Sequence, residues 1–487
     1  MASNLMHHKV RIEDRISGMP DAVLCHILSS LFTTEAVKTS VLSHRWKNVW
    51  ASVPVLDLDE EEYDADMNQP LYNPEDCFAQ FVNRVLMFRC SGDIHRFRLS
   101  TNGMDDVSLI YAWISTAIRR NVVEFDLTVQ RSTVPPFEIP KSLFMCSTLV
   151  RFKLWLHRGI RVMIPTSSNC FPSLKFLHVT VHFPDSDSME KLFSRLPVLE
   201  ELIIDGNFVE STTSNLDISA PKLKRLQTEL RVFKHDMHFA NFVNYVCQIF
   251  VNVDAPNLEE LDICFDPLVS FSLKNAKCLR KAKIDFFYVE ELKKHDYFLG
   301  LADRIHQIFA GIYDAKYLTV KAPLLAALDI GHQYLLPTFN NLNYLELQLH
   351  TCRCLQSLAT VLKISPHLEQ LKILLKRKHM YANENNYSDD VDEDEVEPEW
   401  DAPETVPVCL ISHLKTICLW DFKGCPDDME VAKYLVQHGK ALNRVTIHTP
   451  FCENKEMKSQ SATALWSNVS KFPRGSKTCE IEFQTII

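Results

Sequence analysis

Glycine is scarce in this 487-residue chain, 11 residues in all. Neither a G-x-G-x-x-G run nor a Walker-type loop occurs, which argues against a backbone cradle for nucleotide phosphates. The 15 cysteines are an odd number, scattered, with no C-x-x-C pair and no secretory signal ahead of them. Reduced thiols of the nucleus or cytoplasm, most of them core filler, are the expectation. The N-x-S sequences at Asn386 and Asn468 then carry no meaning as glycan sites. No apolar run is long enough for a bilayer: the most apolar window, Phe239 to Val253, is broken by Asn241, Asn244, Gln248 and Asn252. A membrane is therefore not an expected partner, and with no extended basic face nucleic acid is not one either.

Catalytic and metal-binding patterns are missing too. No H-E-x-x-H is present, and Cys352-Arg-Cys354 has no second pair at zinc-finger spacing. The densest mixed cluster is His413 with Cys409, Cys418 and Cys425. If 414–419 is a strand, period-two alternation turns Cys418 away from Ile417 and Leu419, and the set does not converge. The expectation is a non-enzymatic protein with no cofactor and no metal. Charge is uneven: nine of the acidic residues fall between Asp389 and Asp401 with no basic residue among them, and the whole chain carries −10. Such a block repels itself and is expected as a solvated loop, 376–399. The basic run Lys376–His379 beside it is a nuclear signal, a phosphate contact or, better, a solvated turn.

Against these absences stands a dense apolar segment, Asp14 to Trp50. Pro20 suits the first turn of a helix, and Leu24, Ile27, Leu28 and Leu31 follow at i, i+3, i+4 and i+7. A second short helix can follow Thr33-Thr34 with Ala36, Val37 and Val41 inward. Ser43 can cap a third carrying Trp46, Val49 and Trp50. Three helices in so few residues cannot bury all these side chains among themselves, so part of the apolar surface awaits a partner.

The segment resembles the F-box: an Asp14-Arg-Ile-Ser start, a Met19-Pro20 step where the family has Leu-Pro, a Leu24-x-x-Ile27-Leu28 helix, Ala36-Val37-x-Thr-Ser, then Leu42-Ser-x-Arg45-Trp46. The resemblance implies docking on a Skp-type adaptor, and through it on the cullin and RING subunits of an SCF ubiquitin ligase. Met19, Pro20, Leu24, Ile27, Leu28, Leu31, Val37, Leu42 and Trp46 are the expected contacts.

An internal repeat occupies most of the remainder. Its unit is apolar-x-x-apolar-x-apolar, often preceded by proline, as in Pro197-Val-Leu199-Glu-Glu-Leu202-Ile-Ile204 and Pro256-Asn-Leu258-Glu-Glu-Leu261-Asp-Ile263. Further copies begin at Leu174, Leu223, Leu342 and Leu368, and weaker ones at Ile94, Val122, Leu149, Leu279, Leu414 and Leu442. This is the leucine-rich-repeat type. Leu-x-Leu sends alternate side chains inward from a short strand, and the rest of each unit returns as helix or loop. One unit cannot bury its own face, so an α/β solenoid with parallel strands on its concave side is expected. Irregular spacing implies insertions or degenerate units around 230–250, 285–320 and 376–405.

The C-terminus, from Trp400 through Leu442-Asn-Arg-Val445-Thr-Ile447 to Cys479-Glu-Ile481-Glu-Phe483, is similar to the FBD module that follows leucine-rich repeats in a large class of plant F-box proteins. The expected order is a disordered tail at 1–12, F-box at 13–60, repeats at 80–375, the acidic loop, and FBD at 400–487.

In that family the F-box binds the ligase core and the repeats hold a protein destined for ubiquitination. The implied role is a non-catalytic substrate-recognition subunit, with a leucine-rich-repeat binding protein lacking ligase activity as the alternative. The outward strand positions would read the target: Arg151, Trp155, Phe176, His178, Glu201, Asp205, Glu260, Asp262, Tyr344 and Glu346. The acidic middle copies would favour a basic segment, and Trp155, Phe176 and Tyr344 would be exposed aromatic anchors. Plain solvated strand faces are the equally weighted alternative.

Overall fold

A computed structural model describes residues 16, 18–66, 74–90, 92–102, 106–130, 137–156, 160–161, 170–182, 192–193, 196–209, 214–233, 249–266, 268–287, 295–321, 336–349, 353–375, 400, 402–449 and 465–485. The expected tail at 1–12, the basic run Lys376–His379 and the acidic stretch Asp389–Asp401 lie outside the described residues, Trp400 excepted. The chain forms two compact units, residues 1–188 and 189–487.

The first unit opens with three short helices, α1 (Asp21–Leu28), α2 (Thr33–Lys38) and α3 (Trp46–Val49). Strand β1 (Val55–Asp59), α4 (Glu60–Asp66) and α5 (Pro74–Phe88) come next. The unit continues with β2 (Arg96–Asn102), α6 (Val107–Arg119), β3 (Glu124–Gln130), β4 (Phe137–Glu138) and α7 (Lys141–Phe144). It closes with β5 (Arg151–Leu156), β6 (Ile160–Arg161) and β7 (Phe176–His182). Strands β1, β2, β3, β5 and β7 form a parallel sheet in chain order.

In the second unit β8 (Glu201–Val209), β9 (Ser214–Ser219), β10 (Arg225–Phe233), β11 (Ile249–Asp254), β12 (Glu260–Phe265) and β13 (Val269–Lys274) come first. Then come β14 (Lys281–Phe286), α8 (His295–Ile312), β15 (Tyr317–Lys321), β16 (Tyr344–Leu349), α9 (Arg353–Lys363) and β17 (Gln370–Leu375). The FBD-like region supplies α10 (Val408–Ser412), β18 (Thr416–Trp420), α11 (Pro426–His438), β19 (Arg444–Thr449) and β20 (Glu480–Thr485). Strands β8, β10, β12 and β14–β20 form a parallel sheet.

The repeated proline has a structural cause. In Ala220-Pro221-Lys222-Leu223, Ala255-Pro256-Asn257-Leu258 and Ser365-Pro366-His367-Leu368, the leucine N–H closes on the carbonyl three residues back, at 3.0, 3.1 and 3.3 Å. Proline sits at the second turn position, which its fixed φ suits. A carbonyl just past the turn then accepts two N–H groups of the next copy: Glu200 O takes Lys224 N at 2.8 Å and Arg225 N at 3.1 Å, and Lys224 O takes Glu259 N and Glu260 N in the same way. The remaining Leu-x-Leu alternates, so Leu202 and Ile204, Leu261 and Ile263, Leu345 and Leu347, and Leu371 and Ile373 are all buried.

One feature departs from expectation. Three copies of the second unit return as strands rather than helices or loops: β9, β11 and β13 pair in parallel as a separate sheet. Helix α8 packs on β13, and Gly311 permits it, because a Cβ there would lie 2.6 Å from Leu273 Cβ. At 285–320, expected as an insertion or a degenerate unit, β15 supplies another strand of the sheet, with Leu318 and Val320 buried.

Candidate functional site

The N-terminal helices contain a closed core and an open face. Leu24, Leu28, Ala36, Trp46, Val49 and Val53 form the core, with Met19, Cys25, Trp50 and Val55 packed against it. Arg45 fastens α1 to α3: its Nε and Nη2 donate to Asp21 Oδ1 at 3.0 and 2.7 Å, and Nη2 also donates to the Met19 carbonyl. The Cys25 thiol donates to the Val49 carbonyl, and Thr33 Oγ1 accepts from Asp57 N at 2.8 Å, tying α2 to β1. Ser43 Oγ accepts from Trp46 N at 3.5 Å, but α3 begins at Trp46 with Arg45, not Ser43, at its N-cap.

This packing divides the expected docking residues. Leu24, Leu28 and Trp46 are buried in the segment's own core. Pro20, Ile27, Leu31 and Leu42 are exposed, while Met19 and Val37 are half-buried. Val23, Phe32 and Val41 join the exposed set, and Val41, expected inward, is 85 % exposed. The physical reason is width. A two-turn helix carrying apolar residues at 23, 24, 27 and 28 has two stripes, with Leu24 and Leu28 inward and Val23 and Ile27 outward, and Leu31 in the turn that follows is exposed as well.

The polar face of the strands is a ladder of compensated charge. In the first unit the register aligns Asp57, Arg98, Asp126, Lys153 and His178, alternating in sign along its acidic and basic members. Arg98 bridges Asp57 at 2.8 Å and Asp59 at 2.7 Å. Burial raises the Asp126 carboxyl above its ordinary range, although Lys153 and Arg98 oppose the shift.

In the second unit Lys283 pairs with Asp262 at 2.8 Å and Lys372 with Glu346 at 3.1 Å. Lys321 pairs with Asp285, and Arg225 lies 4.0 Å from Glu201 and 3.7 Å from Glu260. The acidic character expected to favour a basic target is therefore largely neutralised by neighbouring strands.

The expected aromatic anchors fare unequally. Phe176 is 6 % exposed, with the Arg151 guanidinium 3.9 Å over its ring, so it is not an open anchor. Trp155 is half-buried. Tyr344 is half-buried; its hydroxyl donates to Glu346 at 3.2 Å, and burial together with that carboxylate pushes it up to about 12. Farther along, Trp420 stacks on His448 with ring centroids 3.9 Å apart, beneath Lys372. Sequence inspection passed over this cluster because its members sit one per strand; only the register assembles them.

The mixed cysteine–histidine cluster does not gather. The Cys409 thiol donates to the Leu362 carbonyl, Cys418 accepts from Trp420 Nε1 at 2.9 Å, and His413 packs edge-on to His367. Among the described residues no three metal-ligating side chains converge, and no helix is long and apolar enough to cross a membrane. A cleft of about 600 Å³ in the second unit is lined by interleaved charges, Lys222, Lys224, Lys277, Arg280 and Lys316 with Glu200, Glu259 and Asp314.

Parallel-strand repeats preceded by a three-helix segment with an open apolar face define a docking protein built on a repeat array. Comparison with known proteins gives the family. Residues 16–58 match the F-box domain model, 402–447 the FBD model, and 110–285 the model for the LRR repeats of an FBD-associated F-box protein. An F-box/LRR-repeat protein of Arabidopsis thaliana is 31% identical over 74% of this chain and 72% of its own length. An FBD-associated F-box protein of the same plant is 28% identical over 97% of this chain and 98% of its own. An F-box/FBD/LRR-repeat protein is also 28% identical, over 96% of each. The chain belongs to the plant F-box/FBD/LRR-repeat family. Its F-box implies a role in the ubiquitin pathway, and the family's members are generally non-catalytic adaptors.

Proposed function

We propose that the chain is the substrate-recognition subunit of an SCF-type cullin–RING ubiquitin ligase. Its F-box docks on a Skp-type adaptor, which joins it to the cullin and RING subunits, and its repeats hold a target protein for ubiquitin-dependent degradation. The observation that carries this reading is the open face of Val23, Ile27, Leu31, Phe32, Val41 and Leu42 above a core that is already closed. Apolar side chains lined up outside a complete core lower the free energy of association, not of folding.

The chain itself does no acid–base work in this scheme. It raises the effective concentration of a target lysine near a conjugating enzyme recruited elsewhere in the complex. Trp155, Tyr344, Arg151 and His178 are the strand positions we assign to target contact, because each is exposed or half-buried on the outward face of its strand. We place the protein in the nucleus or cytoplasm, where its free thiols stay reduced.

The test is binding of the full chain to a purified Skp-type adaptor, beside a Val41→Asp/Leu42→Asp variant. Both positions are exposed, so the variant should fold as the wild type does. Affinity should fall by roughly one to three decades, the scale of losing an apolar anchor pair. A well-folded wild type that does not bind overturns the proposal. Adaptor binding without assembly on a cullin favours the second reading, a repeat protein that binds its target without ligase activity.

A further inference from the structure

The polar strand face of the second unit is compensated, but the edge at which its strands begin is not. One residue per copy stands there, just ahead of each strand, and its N–H donates to the carbonyl of the matching residue one copy earlier. The row reads Glu200, Lys224, Glu259, Arg280 and Lys316, joined at 2.8, 2.8, 2.8 and 2.9 Å. Signs alternate as far as Arg280. Two cations then stand side by side, their backbones one strand spacing of about 4.8 Å apart. Elsewhere the row cancels itself: Lys224 Nζ lies 2.8 Å from Glu200, and farther along Lys415 Nζ lies 2.8 Å from Glu369.

A second row, from the turns, runs beside the first. Lys222, Asn257, Cys278, Asp314 and Asn341 each directly precede the leucine or alanine whose N–H closes the turn. The two rows, with Lys277 and the buried Leu279, line the cleft of about 600 Å³ described above. Its five cations are exposed, whereas Glu200, Glu259 and Asp314 are half-buried. Of the cations only Lys224 has an ion pair; Lys222, Lys277, Arg280 and Lys316 have neither an ion pair nor a side-chain hydrogen bond among the described residues. Like charges held along one cleft by a rigid backbone row cannot move apart, so their mutual repulsion persists until an anion enters.

We propose that this cleft is a docking groove for an extended acidic segment of a partner protein, whose carboxylates pair with Arg280, Lys316 and their lysine neighbours. The site is separate from the F-box and from the strand-face positions assigned to target contact, and it does not rest on the adaptor reading. Charge and hydrogen-bond direction identify the occupant. Surplus cations call for an anion, and rows that advance one strand spacing per copy call for a long one. Four spacings come to roughly 19 Å, the length of about six extended residues. Asn257 donates to the Pro221 carbonyl at 2.7 Å and Asn341 to Asp314 at 3.2 Å, and the two amide oxygens accept from no donor among the described residues. Those oxygens, with the half-buried Glu259 carboxylate, can accept the N–H groups that a peptide backbone supplies and a nucleic-acid backbone lacks. No aromatic ring on which a base could stack lines the cleft among the described residues.

The test uses the full chain and a short fluorescent peptide of alternating glutamate and alanine, with binding read by anisotropy. Saturable binding that weakens as salt rises is expected. Arg280→Gln/Lys316→Gln should weaken it about ten-fold, the scale of two exposed charge pairs. Lys415→Gln, which removes an exposed cation from the same row outside the cleft, should bind as the wild type does. Thermal unfolding of each form shows that the fold is kept. Wild-type affinity in Arg280→Gln/Lys316→Gln, or an equal loss in Lys415→Gln, overturns the proposal. Tighter binding of single-stranded DNA of the same net charge also overturns it, by making the cleft a phosphate site. A further form has the acidic residues between Asp389 and Asp401 replaced by their amides. Peptide binding by that form alone overturns the partner assignment in favour of the chain's own acidic run, and binding by neither form overturns the groove itself.

Discussion

On and just past the outer side of α1 the exposed apolar side chains are Val23, Ile27 and Leu31; on the polar face of the second unit the charged side chains Asp262, Lys283, Glu346 and Lys372 are half-buried. Both sets lie on or beside regular secondary structure and both face away from a filled core. The apolar set has nothing of its own chain to cover it among the described residues, while each charge of the polar set has an opposite charge on an adjacent strand. Free energy of association is therefore stored in the first region and already expended within the fold in the second. A charged surface is a recognition surface only where its charges are left over, and here the register uses most of them.

The comparison breaks most sharply inside the F-box itself. Leu28→Ala should destabilise the N-terminal helices by about 2–5 kcal/mol, the cost of a cavity in a closed core, and should lower adaptor affinity only through unfolding. Val41→Asp/Leu42→Asp should do the reverse, leaving the thermal midpoint near the wild-type value while affinity collapses. Chemical denaturation of both variants, tracked through Trp46 and Trp50 fluorescence, separates the two effects. Equal destabilisation by both would mean that the open face belongs to the core.

The ladder can be tested by removing a cation. Arg98 bridges Asp57 and Asp59 with all three side chains at least partly sheltered. Arg98→Gln keeps much of the length and the polarity but leaves two carboxylates without their shared cation. The expected cost is about 1–2 kcal/mol, reduced by screening at the solvent side and smaller still at high salt. A denaturation midpoint unmoved by Arg98→Gln at low salt would show that the ladder is ornament, and would reopen the acidic strands as a surface for a basic target.

Most of the sheet was legible because the repeat advertises it. Copies beginning at Ile94, Val122, Leu149, Leu279, Leu414 and Leu442 all lead into strands two residues later. Strand β15 escaped because Ala315 stands where the unit has leucine, and Ala315 is nonetheless buried. Strands β9, β11 and β13 alternate visibly, as in Val269-Ser-Phe271-Ser-Leu273, but a leucine-rich pattern assigns that stretch to a return helix or loop. The site was less legible than the fold. Sequence spacing gave Leu24 and Ile27 the same rank, although one faces the core and the other solvent. Alternation likewise set Phe176 outward without showing that Arg151, one strand away, lies across its ring.

The smallest effect comes from His448, and its sign can be derived. Burial, reinforced by the Lys372 ammonium, holds its imidazole below the ordinary range, and Trp420 covers one ring face. The folded unit therefore prefers the neutral ring, whereas the unfolded chain titrates near the ordinary value of about 6.5. The resulting stability is fully present above that value and is lost as pH falls through the depressed folded value. Asp126 in the first unit runs the other way, because its folded carboxyl is raised: stability is gained as pH falls through that raised value, in the more acidic carboxylate window. Thermal midpoints of the second unit's transition should thus decline from about pH 7 towards about pH 5, and His448→Gln should flatten that decline while leaving the carboxylate-driven changes below it. A decline of unchanged slope in His448→Gln would mean that the stacked histidine titrates freely, and that the Trp420–His448–Lys372 cluster is looser in solution than its 3.9 Å stacking implies.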